Sequence, residues 1–492
     1  MSLLGFNFLL FLMLFLLCYY LLPKKIQPYI TIIFSVFFLL YNSFNYYVIF
    51  EILLILISSY VGGLLIEKFK GNKKSLLFCL LSTFIIFGEL IILKYSNFFI
   101  VTVNYLFNTN INYVNYVFPI GISYFSLIMI SYLIDVYRDT IKAEKNVLKL
   151  SLFMSYFPLL TSGPFIRYDE YGNKLFEKHN FDITRFFSGC FRILWGLFKV
   201  VVISNKLNVF VNSVYGSLNE FNGILVLITS LLYTFELYTN FSGCIDIVLG
   251  VSSMIGVDLP ENFNNPFSSK SISELWRRWH ITLGAWLKDY IFYPLLKSKF
   301  IQNMISFLKK YFNKKISKKI PTYLAMLILW VLIGLWHAGE YKYIISSGLL
   351  QFIYIVMEEL LEPYFKKYRD NNSKIYSIFQ MIRTYVLFSF SMIFFRAIDV
   401  QNALDIIKGI FNFSNVNNFA LITLSLLDYI VMFIGCLLIL VFDNYKTVIF
   451  EKYNKLKFEY KLIILLFLFL VIILFGTYGI GFDHNAFIYG KF

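Results

Sequence analysis

The chain has 492 residues, of which 59% are hydrophobic, 20% aromatic and only 15% charged. A soluble globular protein carries roughly 25% charged residues, so this composition excludes a disordered chain, a coiled coil and an ordinary cytosolic enzyme. Apolar runs such as residues 462–475 recur throughout, and no comparable polar stretch divides them into soluble domains. The composition predicts a single all-α polytopic membrane protein.

The net charge of +15 would suggest a nucleic-acid partner in a soluble protein. In a membrane protein, an excess of Lys and Arg first marks the loops that stay in the cytoplasm, so no nucleic-acid partner is expected. The five cysteines are an odd number, and none of them has CxxC spacing. The sequence therefore predicts neither a disulfide framework nor a metal site.

Apolar runs and the distribution of Lys and Arg predict about twelve crossings with both termini outside. The first run has neither a preceding positive charge nor a small-residue cleavage site, so it is expected to be retained. The run at 149–164 is short and contains Pro158 and Pro164, which favours a re-entrant segment packed against protein. The predicted spans are 3–22, 28–41, 46–66, 76–94, 114–136, 186–213, 223–256, 321–338, 342–362, 377–397, 419–441 and 462–480.

The longest polar section, residues 260–320, holds twelve Lys and Arg against three Asp and Glu. This excess predicts that the section lies in the cytoplasm. We expect one membrane domain over residues 1–492. It comprises N-terminal helices (1–113), a core that carries the functional motifs (114–397) and C-terminal helices (398–492).

His280 lies in a stretch that predicts one amphipathic helix, because Ser271 and Glu274 form a capping box and apolar residues follow at three- and four-residue steps. An aromatic-anchored helix at the cytoplasmic interface, with arginines reaching the lipid headgroups, explains this pattern. A functional interpretation is that Gly284 leaves space beside the imidazole, and that Arg277, one turn earlier, binds phosphate. A nucleotide-bearing acyl donor would suit that face.

His337 ends an apolar helix that Pro321 is predicted to start, which places it roughly 25 Å along the helix axis. An imidazole at that depth is costly unless it packs against protein or a hydrated cavity. One interpretation is a structural histidine bonded between helices. The other is a functional imidazole in a substrate tunnel, where Gly334 and Gly339 allow close backbone approach.

A third polar cluster places Asn240 and Asp246 in or near a span. An unpaired carboxylate is costly there, so Asp246 is expected either to brace neighbouring helices or to orient a catalytic histidine. The remaining histidines are His179, in a polar loop, and His484, in the C-terminal tail. Both are expected to be solvated or structural.

Five segments together resemble the membrane-bound O-acyltransferases. Within that family they are most similar to the membrane subunit of alginate O-acetyltransferase and to its peptidoglycan and cellulose counterparts. The resemblance runs from about residue 115 to the C-terminus, and its longest segment is the most specific. The segments are FPIGISYFSLIMISYLIDVYR (118–138), SGPFIRYDEY (162–171), NFSGCIDIVLG (240–250), ENFNNPFSSKSISELWRRWHITLGAWLKDYIFYPL (261–295) and GLWHAG (334–339).

The resemblance implies a bundle of about 11–12 transmembrane helices, with re-entrant and interfacial helices, in a bacterial plasma membrane. It also implies that His337 is catalytic and that His280 assists it. The implied donor is acetyl-CoA, with no further cofactor. The implied acceptor is a polysaccharide, or a hydroxyl on an extracytoplasmic GDSL/SGNH-type acetyltransferase partner. The candidate substrate contacts are Arg277, Arg278, Trp279, Lys288, Trp336, Asn240 and Asp246.

Three positions depart from the pattern of this branch, which commonly has Asp at Asn240, Arg at Lys288 and a Gly pair at 295–296. The departures affect the details of substrate and partner rather than the family. D-alanyl transfer to teichoic acid, the activity of the nearest sister group, stays open as an alternative. A non-catalytic scaffold and a transporter also stay open, although a transporter would be expected to show repeated halves or several intramembrane charges.

Overall fold

The computed structural model describes residues 1–370, 374–414 and 416–478. These residues form α-helices joined by turns and short loops. They contain no β-strand, and one antiparallel bridge joins Phe263 to Trp279. Ten helical segments of the described chain are long and apolar enough to cross a membrane. The chain is therefore an all-α, multi-pass membrane protein, as the composition predicts.

The N-terminal part of the fold is a group of seven helices. They are α1 (Phe6–Leu21), α2 (Gln27–Ser43), α3 (Tyr46–Lys68), α4 (Lys73–Leu90), α5 (Ser96–Phe107), α6 (Ile122–Tyr137) and α7 (Val147–Ser155). Within this group α3, α4 and α6 pack against one another, and α7 packs against α2. A π-helical segment, Ile91–Tyr95, joins α4 to α5 without interrupting the helix.

The rest of the chain forms the larger part of the bundle. Its helices are α8 (Tyr168–Tyr171), α9 (Ile183–Leu197), α10 (Asn205–Gly216), α11 (Gly223–Met254), α12 (Ile272–Arg278), α13 (Ile281–Leu287), α14 (Tyr293–Lys297), α15 (Lys299–Leu308), α16 (Lys314–Ala338), α17 (Tyr341–Tyr343), α18 (Leu350–Asp370), α19 (Lys374–Arg396), α20 (Val400–Ile410), α21 (Leu426–Lys455) and α22 (Phe458–Phe475). Helix α16 contacts the π-helical turn that follows α17 and also α18.

Helix α11 is the centre of the bundle, and its second half is buried on all sides. It contacts α9, α10 and α19. The contact with α9 requires glycine on both helices: a Cβ on Gly196 would lie 2.4 Å from the carbonyl oxygen of Gly243, and one on Gly189 would lie 2.7 Å from that of Gly250. Small residues therefore let these two backbones approach closely, as is common between membrane helices.

Two predicted spans in the first third of the chain have different bounds in the structure. The span predicted at 114–136 begins at Ile122, because Gly121 before it has a left-handed backbone conformation with φ of 81° that a right-handed helix cannot include. The span predicted at 76–94 continues as helix to Phe107, since the π-helical segment accommodates one extra residue per turn without ending the helix.

The short run at 149–164 forms an interrupted segment, as predicted. Helix α7 ends at Ser155, and a 3₁₀ turn follows at Phe157–Leu159. The second half of α7 and the whole 3₁₀ turn are buried, whereas Val147 and Leu148 at the start of α7 are exposed. Helices α1 and α6 are apolar but have only sixteen residues each. Together with the ten longer segments they account for the twelve predicted apolar spans. The last predicted span ends in the structure with α22, and His484 lies outside the described residues.

Helix α16 begins earlier than predicted, at Lys314 instead of Pro321. The side chain of Asn313 caps its first turn by accepting hydrogen bonds from the backbone N–H groups of Lys315 and Ile316. Because the cap precedes the proline by two turns, Pro321 lies inside α16. The sequence pattern alone would predict that the helix starts at this proline.

The stretch that was expected to form one amphipathic helix forms two. Helix α12 starts at the predicted cap, where the Ser271 hydroxyl accepts a hydrogen bond from the Glu274 N–H at 3.0 Å. It ends before Trp279, whose backbone is extended. His280 then adopts a left-handed conformation with φ of 48°, and α13 follows. The prediction of a continuous helix over 271–290 is therefore wrong.

Candidate active site

The two histidines singled out from the sequence line one cavity of about 220 Å³, called here the first cavity. His280 precedes α13, and His337 lies in the last turn of α16. Both imidazoles are buried. The cavity extends from the histidines along α16 towards Met326, and most of its wall is apolar. Two histidines that are 57 residues apart in the chain, and that the sequence indicates as separate candidates, therefore line the same cavity.

A second cavity, of about 100 Å³, reaches His280 from another direction. Its wall comes from the loop and helix at 118–124, from residues 159–165, and from Lys94 and Trp336. It touches α16 only in the last turn, whereas the first cavity follows α16 back towards its N-terminal end. His280 lines both cavities, whereas His337 lines the first cavity only, so the two approaches meet at His280.

The hydrogen bonds of His337 fix its tautomer. Its Nδ1 lies 2.8 Å from the carbonyl oxygen of Ile333 and 3.1 Å from the hydroxyl of Ser347. A carbonyl oxygen only accepts, so Nδ1 carries the proton, and the Ser347 hydroxyl donates its own hydrogen to the carbonyl of Tyr343 at 3.0 Å. In the neutral ring, Nε2 is then the basic nitrogen.

The hydrogen bonds of His280 favour the opposite tautomer. The side-chain oxygen of Asn262 accepts from the backbone N–H of Thr282 at 3.1 Å and from its hydroxyl at 2.9 Å. Nδ1 of His280 lies 3.1 Å from the amide nitrogen of Asn262 and 3.3 Å from its oxygen. Because that oxygen already accepts two hydrogen bonds and the contact with the nitrogen is the shorter one, we assign Nδ1 as the acceptor and Nε2 as the nitrogen that carries the proton. Burial, together with the nearby His337, lowers the pKa of His280 to about 3, so its ring is neutral.

The pair therefore combines a base with a hydrogen-bond donor in a buried setting. Transfer of an acyl group to a hydroxyl requires a base for the hydroxyl proton, a donor for the developing oxyanion, and protection from water. Aromatic rings enclose both imidazoles: Phe241 lies 4.9 Å from the ring of His280, and Phe395 lies 5.3 Å from that of His337, between ring centres. The geometry supplies all three requirements.

Four of the predicted substrate contacts line these cavities. Arg277, Trp279 and Lys288 line the first cavity with the two histidines, and Trp336 lines the second. Arg277 and Lys288 are the two basic side chains in the wall of the first cavity. Arg277 lies in α12 and Lys288 directly follows α13, and both add positive charge to that cavity.

Arg278, in contrast, does not line either cavity. Its guanidinium pairs with Glu274 at 2.8 Å, one turn earlier on α12, and donates to the hydroxyl of Ser268 at 3.1 Å. The two adjacent arginines, both predicted as substrate contacts, therefore differ in the structure: Arg277 lines the first cavity and Arg278 does not. Arg278 fastens α12 to the preceding loop.

Asn240 and Asp246 also lie outside both cavities. The Asp246 carboxylate is buried and receives hydrogen bonds from the ammonium of Lys199 at 2.9 Å and from Nε of Arg192 at 3.1 Å. A cluster of charges inside the bundle was not expected from the sequence, because Lys199 and Arg192 are hidden in apolar runs. This environment corresponds to the bracing role among the two interpretations of Asp246.

The same charge cluster extends to the segment that holds His280. Glu261 accepts hydrogen bonds from Arg192 at 2.7 Å and from Lys446 at 2.8 Å. Burial alone would raise the pKa of Glu261, but these two cations hold it below its usual value. Since Asn262 follows directly, helices α9, α11 and α21 fix the backbone from which Asn262 reaches His280.

Sequence reasoning missed three residues at the site: Lys94, Asn262 and Ser347. Lys94 is a single lysine at the end of a predicted apolar span, and a charged residue in such a span indicates a functional position. Asn262 and Ser347 carried no comparable signal, because a single amide or hydroxyl in a polar or helical stretch is common. In the described part of the chain, no group of three or more His, Cys, Asp or Glu side chains is placed to hold a metal ion.

The model of the membrane-bound O-acyltransferase family matches residues 3–398. The chain belongs to this family. The match begins well before residue 115, where the resemblance was expected to start, so it includes the helices that carry Lys94. Membership of the membrane-bound O-acyltransferase family identifies the protein as an acyltransferase of the membrane.

Three named relatives illustrate the similarity. The peptidoglycan O-acetyltransferase of Helicobacter pylori is 26% identical over 388 residues, which cover 74% of this chain and 70% of that protein. The probable alginate O-acetylase AlgI of Pseudomonas putida is 32% identical over 297 residues, 60% of this chain and 56% of that protein. The teichoic acid D-alanyltransferase of Bacillus subtilis is 27% identical over 259 residues, 51% of this chain and 61% of that protein.

Proposed function

We propose that this acyltransferase transfers an acetyl group from acetyl-CoA, bound from the cytoplasm, to a hydroxyl of a cell-envelope or extracellular polysaccharide. One observation carries the proposal: two cavities meet at His280, and His337 lines the first of them with the opposite tautomer. A base and a donor in that arrangement support transfer of an acyl group between a substrate in one cavity and a substrate in the other.

In the reaction that we propose, Nε2 of His337 accepts the proton of the acceptor hydroxyl as its oxygen attacks the thioester carbonyl. The N–H of His280 donates to the resulting oxyanion. When the tetrahedral intermediate collapses, the carbon–sulfur bond breaks and the thiolate takes the proton from His337. The products are an acetyl ester and free coenzyme A, and both histidines regain their initial protonation.

The first cavity supports acetyl-CoA as the donor. Arg277 and Lys288 offer positive charge for its phosphates, and the apolar wall between them and the histidines suits the pantetheine arm. This arrangement also fits the predicted cytoplasmic position of 260–320, because coenzyme A is a cytoplasmic metabolite. Lys288, where this branch commonly has Arg, supplies a point charge instead of a bidentate contact.

The second cavity supports a separate approach for the acceptor. The names of the relatives from Helicobacter and Pseudomonas point to polysaccharide acceptors. The acetyl group would reach the polymer either directly or through a hydroxyl of an extracytoplasmic GDSL/SGNH-type acetyltransferase partner. D-alanyl transfer to teichoic acid is the alternative, and the Bacillus relative supports it through a match to half of this chain.

The test is replacement of His337 by Ala in cells whose own copy of the gene is deleted. If His337 is the base, the variant inserts normally but transfers acetyl groups slower by on the order of 10²–10⁴. Alkali-released acetate and D-alanine from the envelope polymers measure the outcome. His179→Ala is the control, since His179 lines neither cavity. Normal acetylation in His337→Ala contradicts the proposal, and loss of D-alanine instead of acetate supports D-alanyl transfer.

A further inference from the structure

Lys94 is a half-buried lysine near the histidine pair, and the reaction above does not use it. It lies in the π-helical segment between α4 and α5, and it lines the second cavity. Its Nζ donates to the carbonyl oxygen of Trp336 at 2.7 Å and to the hydroxyl of Ser123 at 2.9 Å. No carboxylate of the described chain pairs with it. Placing a lysine here has a high desolvation cost in a membrane protein, and such a residue is commonly functional.

The Trp336 carbonyl belongs to the last turn of α16, where carbonyl groups have no partner within the helix. The neighbouring carbonyl of Leu335 is satisfied by the Gly339 N–H at 2.9 Å. The ammonium of Lys94 donates a hydrogen bond to the Trp336 carbonyl and also lies 5.5 Å from the centre of the Trp336 ring. A cation at a helix C-terminus is stabilising, because it opposes the negative end of the helix dipole.

His337 follows Trp336 directly, so the ammonium holds the backbone unit that carries the imidazole. We propose that Lys94 is a positioning residue for acyl transfer, which fixes the last turn of α16 and thereby sets the position of Nε2 of His337 in the first cavity. This inference rests on the proposed function. It assigns a role to α4 and α5, which lie outside the motifs that carry the family resemblance.

A second lysine offers a matched control, because it makes the same kinds of contact elsewhere. Lys461 is buried, donates to the carbonyl of Asn454 at 2.9 Å near the C-terminal end of α21, and lies 5.9 Å from the centre of the Tyr453 ring. It lines neither cavity. A merely structural effect of removing a carbonyl-bound ammonium would therefore appear at both lysines.

The experiment measures transfer of labelled acetyl groups from acetyl-CoA in inside-out membrane vesicles. Lys94→Met keeps the length of the side chain but removes its charge. We expect its kcat to fall by on the order of tenfold to 100-fold through misplacement of the base, while the KM for acetyl-CoA stays within about twofold because ground-state binding is unchanged. Lys461→Met should retain the kcat of the parent.

Lys94→Ala leaves a space the size of n-propylamine, so added n-propylammonium should restore part of its kcat. His337→Ala should not respond to the amine. Parental kcat in Lys94→Met while His337→Ala is inactive would overturn the role of Lys94 and leave the proposed function standing. The same loss in Lys461→Met, or no response of accumulated Lys94→Ala to the amine, would also overturn it. An active His337→Ala would instead refute the proposed function.

Discussion

At the scale of single residues, the chemistry of the site depends on which nitrogen of each imidazole carries the proton. Neither histidine determines this by itself. The Ile333 carbonyl fixes the tautomer of His337, and the amide of Asn262 fixes that of His280. These small polar contacts decide which ring acts as base and which as donor.

Exchange of Asn262 for Asp tests the assigned role of His280. The carboxylate keeps the oxygen that Thr282 requires but removes the amide donor, so Nδ1 of His280 becomes protonated and Nε2 loses its hydrogen. We expect kcat to fall by on the order of 10²–10³, as for the loss of one oxyanion donor. Kinetics in membrane vesicles measure the change. Thr282→Ser, which retains the hydroxyl, is the control, and an unchanged kcat in Asn262→Asp would refute the donor role.

The adjacent arginines give a second prediction at this scale. Arg277→Gln should raise the KM for acetyl-CoA by about tenfold with little change in kcat, because a positioning charge binds ground and transition states alike. The effect should weaken as salt rises. Arg278→Gln should leave the KM unchanged, since Arg278 pairs with Glu274 and lines neither cavity. Equal KM values in the two variants would contradict the assignment of the donor site.

At the scale of helices, the positions where helices end or change their winding bring the site together. The break between α12 and α13 directs His280 into the bundle, although the sequence there contains neither Gly nor Pro. Backbone bonds from a distant loop hold it: the Ile281 N–H donates to the Asn262 carbonyl at 3.1 Å, and the Asn264 N–H donates to the Arg278 carbonyl at 3.0 Å. Helix α16 ends at the other histidine.

The packing of α16 gives a prediction at this scale. A Cβ on Gly334 would lie 2.6 Å from the Cα of Ile344, so Gly334→Ala forces α16 away from the π-helical turn that carries Ser347. We expect a loss of about 1–3 kcal/mol in stability. We also expect a lower kcat, because the shift of α16 displaces His337. Thermal aggregation in detergent and vesicle kinetics measure both effects.

Gly88→Ala is the matched control for this substitution. It also adds one methyl group to an apolar helix, but nothing lies within 4 Å of the new Cβ. A helix interior favours Ala over Gly, so this variant should be as stable as the parent or slightly more stable. Equal behaviour of the two alanine variants would contradict the close contact of α16.

At the scale of the whole molecule, buried charges connect the C-terminal helices to the site. The cluster of Lys199, Asp246, Arg192 and Glu261 joins α9, α11 and the segment before Asn262, and Lys446 of α21 joins it at Glu261. Ion pairs inside a protein do not by themselves stabilise it, because desolvation offsets their attraction. Removing one member is nevertheless destabilising, since it leaves one uncompensated charge in the cluster.

This cluster gives the final prediction. Lys199→Met should destabilise the protein by about 3–5 kcal/mol, because Asp246 loses its closest cation. The double variant Lys199→Met, Asp246→Leu should regain most of that loss, since it removes both charges. Unfolding by SDS in mixed micelles measures the two differences. A double variant less stable than the single one would show that Asp246 is needed for its other partner, Arg192.

Local sequence patterns were sufficient to predict the class of fold, the approximate positions of most spans and the two candidate histidines. Composition and apolar run length decide whether a chain enters a bilayer, and a lone imidazole in such a run is conspicuous. The family resemblance added the roles of His337 and His280. These predictions follow from local properties, so they need no knowledge of which helices become neighbours.

Which residues contact one another is visible only in the folded structure. It split the helix predicted over 271–290, separated Arg277 from Arg278, placed Asp246 in an ion cluster instead of a cavity, and brought Lys94 to the end of α16. Each of these outcomes depends on contacts between residues far apart in the chain, whose geometry local pattern does not encode. The tautomers of the two histidines have the same origin, because the partners that fix them, apart from Ile333, come from other elements of the bundle.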